Sequence, residues 1–188
     1  MIQWPWPAPV DDGAAAHLLP GHKMPDIALA ATTGDPVSLA RTTGRCVLVI
    51  YPWTGCPGQN NPEGWDGIPG AHGSTSELEG FARLHHGFAD VGVLLLGLSG
   101  QAAVEQRGFS DRHALPFPLL SDADRSFQRA LELPMFEAGG KAFLTRLTLV
   151  LRDGAIEQVY YPVHPPDAHG REVMYLCGAT RAGANRGR

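Results

Sequence analysis

The sequence predicts an α/β domain with a mixed central sheet flanked by helices, and three observations carry that prediction. Cys46–Tyr51 and Val91–Ser99 are near-continuous apolar runs, as expected of central strands covered on both faces. A helical stretch comes after each, following a long loop in the first case, the alternation that lays strands parallel. Towards the C-terminus, Asp153-Gly154 separates two further strand-like runs, a two-residue hairpin signal that makes this end of the sheet antiparallel.

The totals fit a single compact domain. The chain has 188 residues, 44% hydrophobic and 18% charged, enough for a sizeable core. A formal net charge of −4 gives no basic footprint for nucleic acid and no pull towards an anionic membrane. Met1–Pro7 has neither a basic n-region nor an apolar h-region, and no apolar run is long enough to cross a bilayer, so a cytoplasmic location is expected. Cys46, Cys56 and Cys177 are odd in number and lack metal-site spacing. Neither a disulfide framework, a metal nor a cofactor is predicted.

In chain order, residues 1–18 are rich in Pro, Ala and Trp without periodicity and read as a surface arm, with Trp4 and Trp6 as its anchors. Leu19–Leu29, the turn Thr33–Pro36 and Val37–Leu39 read as a short strand, a turn and a second short strand. Cys46 lies within the first central strand, where a thiol suits inert core. Trp53–Gly67 is a long loop whose two tryptophans argue for order. Thr75 to about Phe88 places Leu78, Phe81, Ala82, His85 and Phe88 on one helical face; adjacent His85 and His86 point apart and form no ligand pair. Gln101–His113 is helical, Pro116–Leu120 a short strand, and Ser121–Asp124 opens a helix ending near Leu133-Pro134. After the Gly139-Gly140 loop, Leu144–Leu151 and Ala155–Val163 flank the hairpin turn, and Pro165-Pro166-Asp167 opens a last helix to about Cys177. The organising domain is thus 19–177, with residues 178–188 a Gly/Arg/Ala tail expected to be disordered.

The stretch Ile68–Glu77 is a Gly/Pro-rich loop delivering Ser74 to the start of a helix. Ser74 has the N-cap type, and Glu77 three residues on completes a capping box. A side chain placed there faces unpaired backbone N–H groups and the positive end of the helix dipole, a setting that suits an anion and would activate a thiolate.

Leu19-Pro20-Gly21-His22-Lys23-Met24-Pro25-Asp26-Ile27, Gly97-Leu98-Ser99, Pro116-Phe117-Pro118-Leu119-Leu120-Ser121-Asp122 and Arg146-Leu147-Thr148-Leu149-Val150 before Asp153-Gly154 occur in an order that resembles the peroxiredoxin family, the thiol peroxidases built on a thioredoxin-like fold. The resemblance runs from about Leu19 to Cys177. In that family a Pro, a Thr and then the peroxidatic Cys at a helix start follow the second core strand. Carried over, Pro52 matches the Pro and Thr54 the Thr, although Thr54 stands closer to the Pro than usual. The helix-start position falls on Ser74, after an insertion. Gly64-Trp65-Asp66 and Ile68-Pro69-Gly70-Ala71 are similar to a divergent bacterial subgroup in which Gly-Cys-Thr follows; here the Cys is Ser74, and Glu79 stands where many relatives carry a resolving Cys.

The resemblance implies a thiol-dependent hydroperoxide reductase acting on a hydroperoxide with a thioredoxin-like or low-molecular-weight thiol reductant, and it admits a homodimer. Arg146 would stabilise the thiolate and the leaving oxygen, with the Thr54 hydroxyl as a further donor. Serine cannot form a sulfenic acid, so Ser74 opens several readings. One is an engineered Cys-to-Ser exchange in a peroxidase. A second is a natural divergent protein in which Cys56 takes over the redox work or was once a resolving partner. A third is a redox-dead binding protein or a repurposed enzyme; for serine hydrolysis, His72 is near in sequence, but Gly73-Ser74-Thr75-Ser76 does not fit the nucleophile-elbow pattern.

Overall fold

A strand that is apolar at five successive positions has to be covered on both faces, and Arg45–Ile50, apolar and buried from Cys46 onwards, is built into the centre of the molecule accordingly. The structure is a computed structural model and describes residues 4–184. In chain order it contains β1 (Ala30–Ala31), β2 (Arg45–Ile50), α1 (Ser74–Asp90), β3 (Val93–Ser99), α2 (Ala103–His113), β4 (Leu119–Ser121), α3 (Ser126–Leu131), β5 (Met135–Ala138), β6 (Lys141–Leu144), β7 (Leu147–Arg152), β8 (Ala155–Tyr160) and α4 (Pro166–Ala184). The main sheet runs β1-β4-β3-β2-β7-β8, and β5 pairs with β6 separately. β2 is parallel to β3, with Leu48 opposite Leu96, and antiparallel to β7, with Leu48 opposite Leu149. The sheet is mixed and flanked by helices, as the sequence predicts.

Alternation along β2 divides the core into two layers. Cys46, Leu48 and Ile50 join Leu96, Leu98 and Leu149 on one face, which is covered by Leu39, by Phe127 and Leu131 of α3, and by Ala15, Leu18 and Met24 of the N-terminal segment. Val47, Val49 and Tyr51 point the other way, against Leu78, Phe81 and Phe88 of α1, Phe109 of α2 and Val173 of α4. Fully burying one such Leu or Phe side chain contributes roughly 1.5–3 kcal/mol. The expected surface arm is therefore only partly superficial, because Ala15 and Leu18 are core residues. His17 Nε2 also lies 2.8 Å from the Leu131 carbonyl oxygen, tying the segment to the end of α3.

Several local expectations are corrected. Val37–Leu39 makes no strand; one bridge joins Leu29 and Val37, and Leu39–Arg41 is a 3₁₀ turn that inserts Leu39 into the core. The helix opened by Ser121–Asp124 is shortened to Ser126–Leu131, because Asp122 is buried and both its oxygens accept backbone N–H groups, from Phe127 at 2.9 Å and Gln128 at 2.8 Å. Residues around Gly139-Gly140 form the turn of the β5–β6 hairpin, with both glycines at positive φ. α4 continues past Cys177 to Ala184, although this last stretch contains Gly178 and Gly183 as well as Ala and Arg. The rest of the predicted tail, residues 185–188, lies outside the described residues, as do the first three residues of the arm.

The β7–β8 turn has Asp153 at φ 49 and Gly154 at φ 74, as a type I′ turn requires. A Cβ on Gly154 would stand 2.5 Å from the Ala40 carbonyl oxygen. Strain and collision with backbone act together here, so Gly154→Ala is expected to cost about 2 kcal/mol or more. By thermal denaturation the melting temperature should fall by roughly 4–8 °C; an unchanged value would show that the turn relaxes freely.

Candidate active site

Ser74 is the first residue of α1 and is 3% exposed. Gly73, at φ 105, occupies the cap position and makes no side-chain capping bond. The expected capping box is absent, because the Glu77 side chain turns inward. Arg146, the residue before β7 and 2% exposed, donates from Nη1 to Glu77 Oε2. A buried guanidinium needs a counter-charge, a requirement worth several kcal/mol, and this outweighs the ~1 kcal/mol available from capping. Burial raises the Glu77 carboxyl, and the charge and hydrogen bond of Arg146 offset this only in part, leaving it at about 7. The other guanidinium edge faces the helix start: Nη2 donates to Ser74 Oγ at 3.2 Å and to the His72 carbonyl oxygen at 3.1 Å. Gly73 is required here, since a Cβ would run into Pro166 and would lie 2.8 Å from the Trp4 ring.

On its outer side Ser74 lines a cleft of about 360 Å³ shared with Trp4, Trp53, Thr54, Trp65 and His72. Trp53 and Trp65 meet edge to face with ring centroids 5.5 Å apart, and Trp65 packs on Phe143 at 4.9 Å. The Trp6 ring stacks on His72 at 3.6 Å and 7°. Trp4 and Trp6 do anchor the arm, and their anchorage is the rim of this cleft.

Thr54 lies in the same cleft, but its hydroxyl is engaged elsewhere. Both its backbone N–H and its Oγ1 donate to Gln101 Oε1, at 3.0 and 3.1 Å. The single hydroxyl proton is thus given to Gln101 and not to the cleft, which corrects the expectation of a Thr54 donor. Gln101 is itself held by a buried chain: Gln106 Nε2 donates to the Gln101 carbonyl oxygen at 2.9 Å, and Gln106 Oε1 accepts from the Tyr51 hydroxyl at 2.6 Å. The Pro52 carbonyl oxygen accepts from Ser99 Oγ at 3.2 Å, and Pro52 lines a neighbouring cavity, not the Ser74 cleft. Cys56 is half-buried in the loop and is not among the residues lining either cavity. Cys46 is fully buried, and burial pushes its thiol up to about 12, in keeping with inert core.

The structure therefore brings Ser74, Arg146 and Thr54 together and leaves Pro52 and Cys56 outside the cleft. Glu77, Gln101 and the tryptophans are contributions that motif reading missed; a glutamate one turn into a helix near an expected buried arginine is the signal that could have identified Glu77. Serine hydrolysis gains nothing from the geometry. His72 Nε2 is 2.8 Å from Asp66 Oδ1 and its ring is packed against Trp6 and Trp65, while the hydrogen bond found at Ser74 Oγ comes from a cation.

His169 of α4, 3% exposed, sits behind Arg146 with Nε2 3.0 Å from Thr148 Oγ1 and Nδ1 3.5 Å from Glu172. Burial, and then the Arg146 charge, lower its pKa to about 4. The folded-state pKa is below the unfolded one, so this contribution to stability is present above about pH 6.5 and is lost as pH falls towards 4. Glu77 has the opposite sign, since its raised folded-state pKa favours folding as pH falls from 7 towards 4.5. Removing His169 should expose the Glu77 effect. Urea denaturation of His169→Asn between pH 4.5 and 6.5 is expected to show the acid-side slope changed by up to about 1.4 kcal/mol per pH unit; a slope equal to the parent's would remove His169 from the titration.

Residues 19–173 match the family described as Redoxin. The chain is 26% identical over 162 residues to a chloroplastic peroxiredoxin Q of Sedum lineare, covering 86% of this chain and 78% of the relative. It is 28% identical over 114 residues to peroxiredoxin Bcp of Bacillus subtilis, covering 60% and 63%. The solved structure of peroxidoxin BcpB from Mycobacterium tuberculosis superposes with a TM-score of 0.69 at 26% identity, over 87% of this chain and 98% of that one.

Proposed function

Because the chain belongs to the Redoxin family, in its peroxiredoxin branch, we propose that it is a thiol-dependent hydroperoxide reductase scaffold in which Ser74 occupies the position of the nucleophilic thiolate. The observation that supports this is the 3.2 Å bond from Arg146 Nη2 to Ser74 Oγ at the first residue of α1. A group there meets a buried guanidinium and the unpaired N–H groups of a long helix, which together stabilise an anion. With sulfur at this position the reaction is simple. The thiolate attacks the distal oxygen of the hydroperoxide, the O–O bond breaks, sulfur is oxidised to a sulfenic acid, and the leaving alkoxide takes a proton. A thioredoxin-like or small thiol then reduces the sulfenic acid, releasing water and forming a disulfide.

Serine supports none of these redox steps. In the present chain the cleft holds a hydroperoxide or anion without reducing it. Hydroperoxide consumption with excess dithiothreitol tests this for the parent, Ser74→Cys and Cys56→Ala. The expected pattern is background consumption in the parent and in Cys56→Ala, and turnover in Ser74→Cys. Turnover in the parent that is lost in Cys56→Ala would transfer the role to Cys56. A folded but inactive Ser74→Cys would overturn the proposal.

A further inference from the structure

A second cavity, of about 330 Å³, lies on the other side of Trp53 and is lined by Trp53, Gln101, Asp122, Arg125, Lys141 and Phe143. It sits outside the carboxyl ends of β2, β3 and β4, beneath the β5–β6 hairpin, the side on which parallel sheets leave room for ligands. Its volume is that of a small-molecule site.

Gln101 is 7% exposed, and the direction of its carboxamide is fixed by chemistry. The Thr54 backbone N–H can only donate, so the atom it meets is Oε1, and Nε2 points away from Thr54. That Nε2 is buried and has no hydrogen-bond partner in the protein. Such a group normally finds an acceptor, because leaving it unpaired is costly. Two carboxylates that line the cavity, Asp122 and Glu105, accept backbone N–H groups and pair with neither cation. Both Asp122 oxygens accept N–H groups at the start of α3, and Glu105 Oε2 accepts the Ala102 N–H at 3.1 Å. The cations have no such carboxylate partner. Arg125 reaches Met135 Sδ at 3.2 Å and the Ala142 carbonyl oxygen at 2.5 Å, and among the described residues neither Arg125 nor Lys141 makes an ion pair. A lining residue with an unsatisfied buried donor and two cations outside any ion pair thus border a space walled by Trp53 and Phe143, which Asp122 and Glu105 also line.

We propose that this cavity binds a small organic carboxylate with a flat apolar body. The carboxylate accepts from Gln101 Nε2 and is attracted by Lys141 and Arg125, and the body packs against Trp53 and Phe143. The site is distinct from the Ser74 cleft and is linked to it by one carboxamide, whose oxygen holds Thr54 while its nitrogen faces the ligand. Its occupation does not depend on whether Ser74 or any thiol performs chemistry.

Phenylacetate is a suitable probe, with phenylacetamide and inorganic phosphate as controls, followed by ¹H–¹⁵N NMR on the full chain. Phenylacetate should produce saturable shifts of the Gln101 side-chain amide and the Trp53 indole N–H at millimolar concentration, and neither control should match it. Lys141→Gln should weaken binding roughly two- to fivefold, as for a partly solvated charge. Gln101→Glu keeps an oxygen for Thr54 but sets a carboxylate against the ligand, and should weaken binding at least about tenfold; a Thr54 amide resonance at its parent position verifies that the loop is intact. The proposal is overturned if phenylacetate does not saturate or either control binds as well. It also fails if the shifts surround Ser74 without moving Gln101, or if Gln101→Glu binds as tightly as the parent.

Discussion

Replacing Ser74 by cysteine is expected to switch on hydroperoxide reduction. The new sulfur would stand at the first residue of a 17-residue helix, with Arg146 Nη2 about as near as it now is to Oγ, 3.2 Å. Both influences favour thiolate over thiol. A free cysteine is only a few per cent ionised near neutral pH, so lowering its pKa to 7 or below raises the reactive fraction roughly tenfold or more. Donors fixed where charge develops on the leaving oxygen add about 10²- to 10³-fold. Together these predict a second-order rate constant on the order of 10³–10⁴ times that of an unactivated thiol. Stopped-flow consumption of hydrogen peroxide measures it directly. A rate no faster than that of free dithiothreitol would show that the cleft does not activate a nucleophile.

The second large effect concerns stability. Arg146→Met should destabilise the fold by about 3–5 kcal/mol, because it strands the fully buried Glu77 carboxylate without its counter-charge. The paired change Arg146→Met with Glu77→Leu should recover most of that loss, since a buried ion pair contributes little more than well-packed apolar groups in its place. The single variant carries its own signature in pH. Without Arg146 the folded-state carboxyl rises further above its unfolded value, so the penalty is small below about pH 4.5, where Glu77 is protonated in both states, and grows as pH increases. Denaturant unfolding of the single and double variants at pH 5 and pH 8 checks both points. Equal losses in the two variants would mean that Arg146 acts through packing alone.

The parts of the fold written as periodicity were legible in the sequence. The near-continuous apolar text of β2 and β3 and the Asp-Gly turn between β7 and β8 determine local backbone geometry and burial directly. The sequence marks only the Gly139-Gly140 turn of the β5–β6 hairpin, since its short strands are mixed in polarity and lie half on the surface. Within the site, Ser74, Thr54 and Arg146 were found by resemblance, and the structure sets them around one helix start. What the sequence could not convey was where each polar group spends its hydrogen bonds. Glu77 suits a cap and a counter-ion equally well until the depth of Arg146 is known, and the Thr54 hydroxyl reads as a free donor until Gln101 is seen to receive it. Such choices depend on contacts between residues far apart in the chain.

The gathering of indoles around Ser74 has a practical corollary. The chain's four tryptophans, Trp4, Trp6, Trp53 and Trp65, all lie in or against the same cleft. Intrinsic fluorescence of this protein is therefore a local spectroscopic reporter, sensitive to the arm, the loop and the helix start and nearly blind to the far edge of the sheet. Emission should change when anything enters the cleft or the arm lifts, even while circular dichroism stays constant. Coincidence of the two signals during denaturation tests whether the cleft melts with the rest of the domain or opens ahead of it.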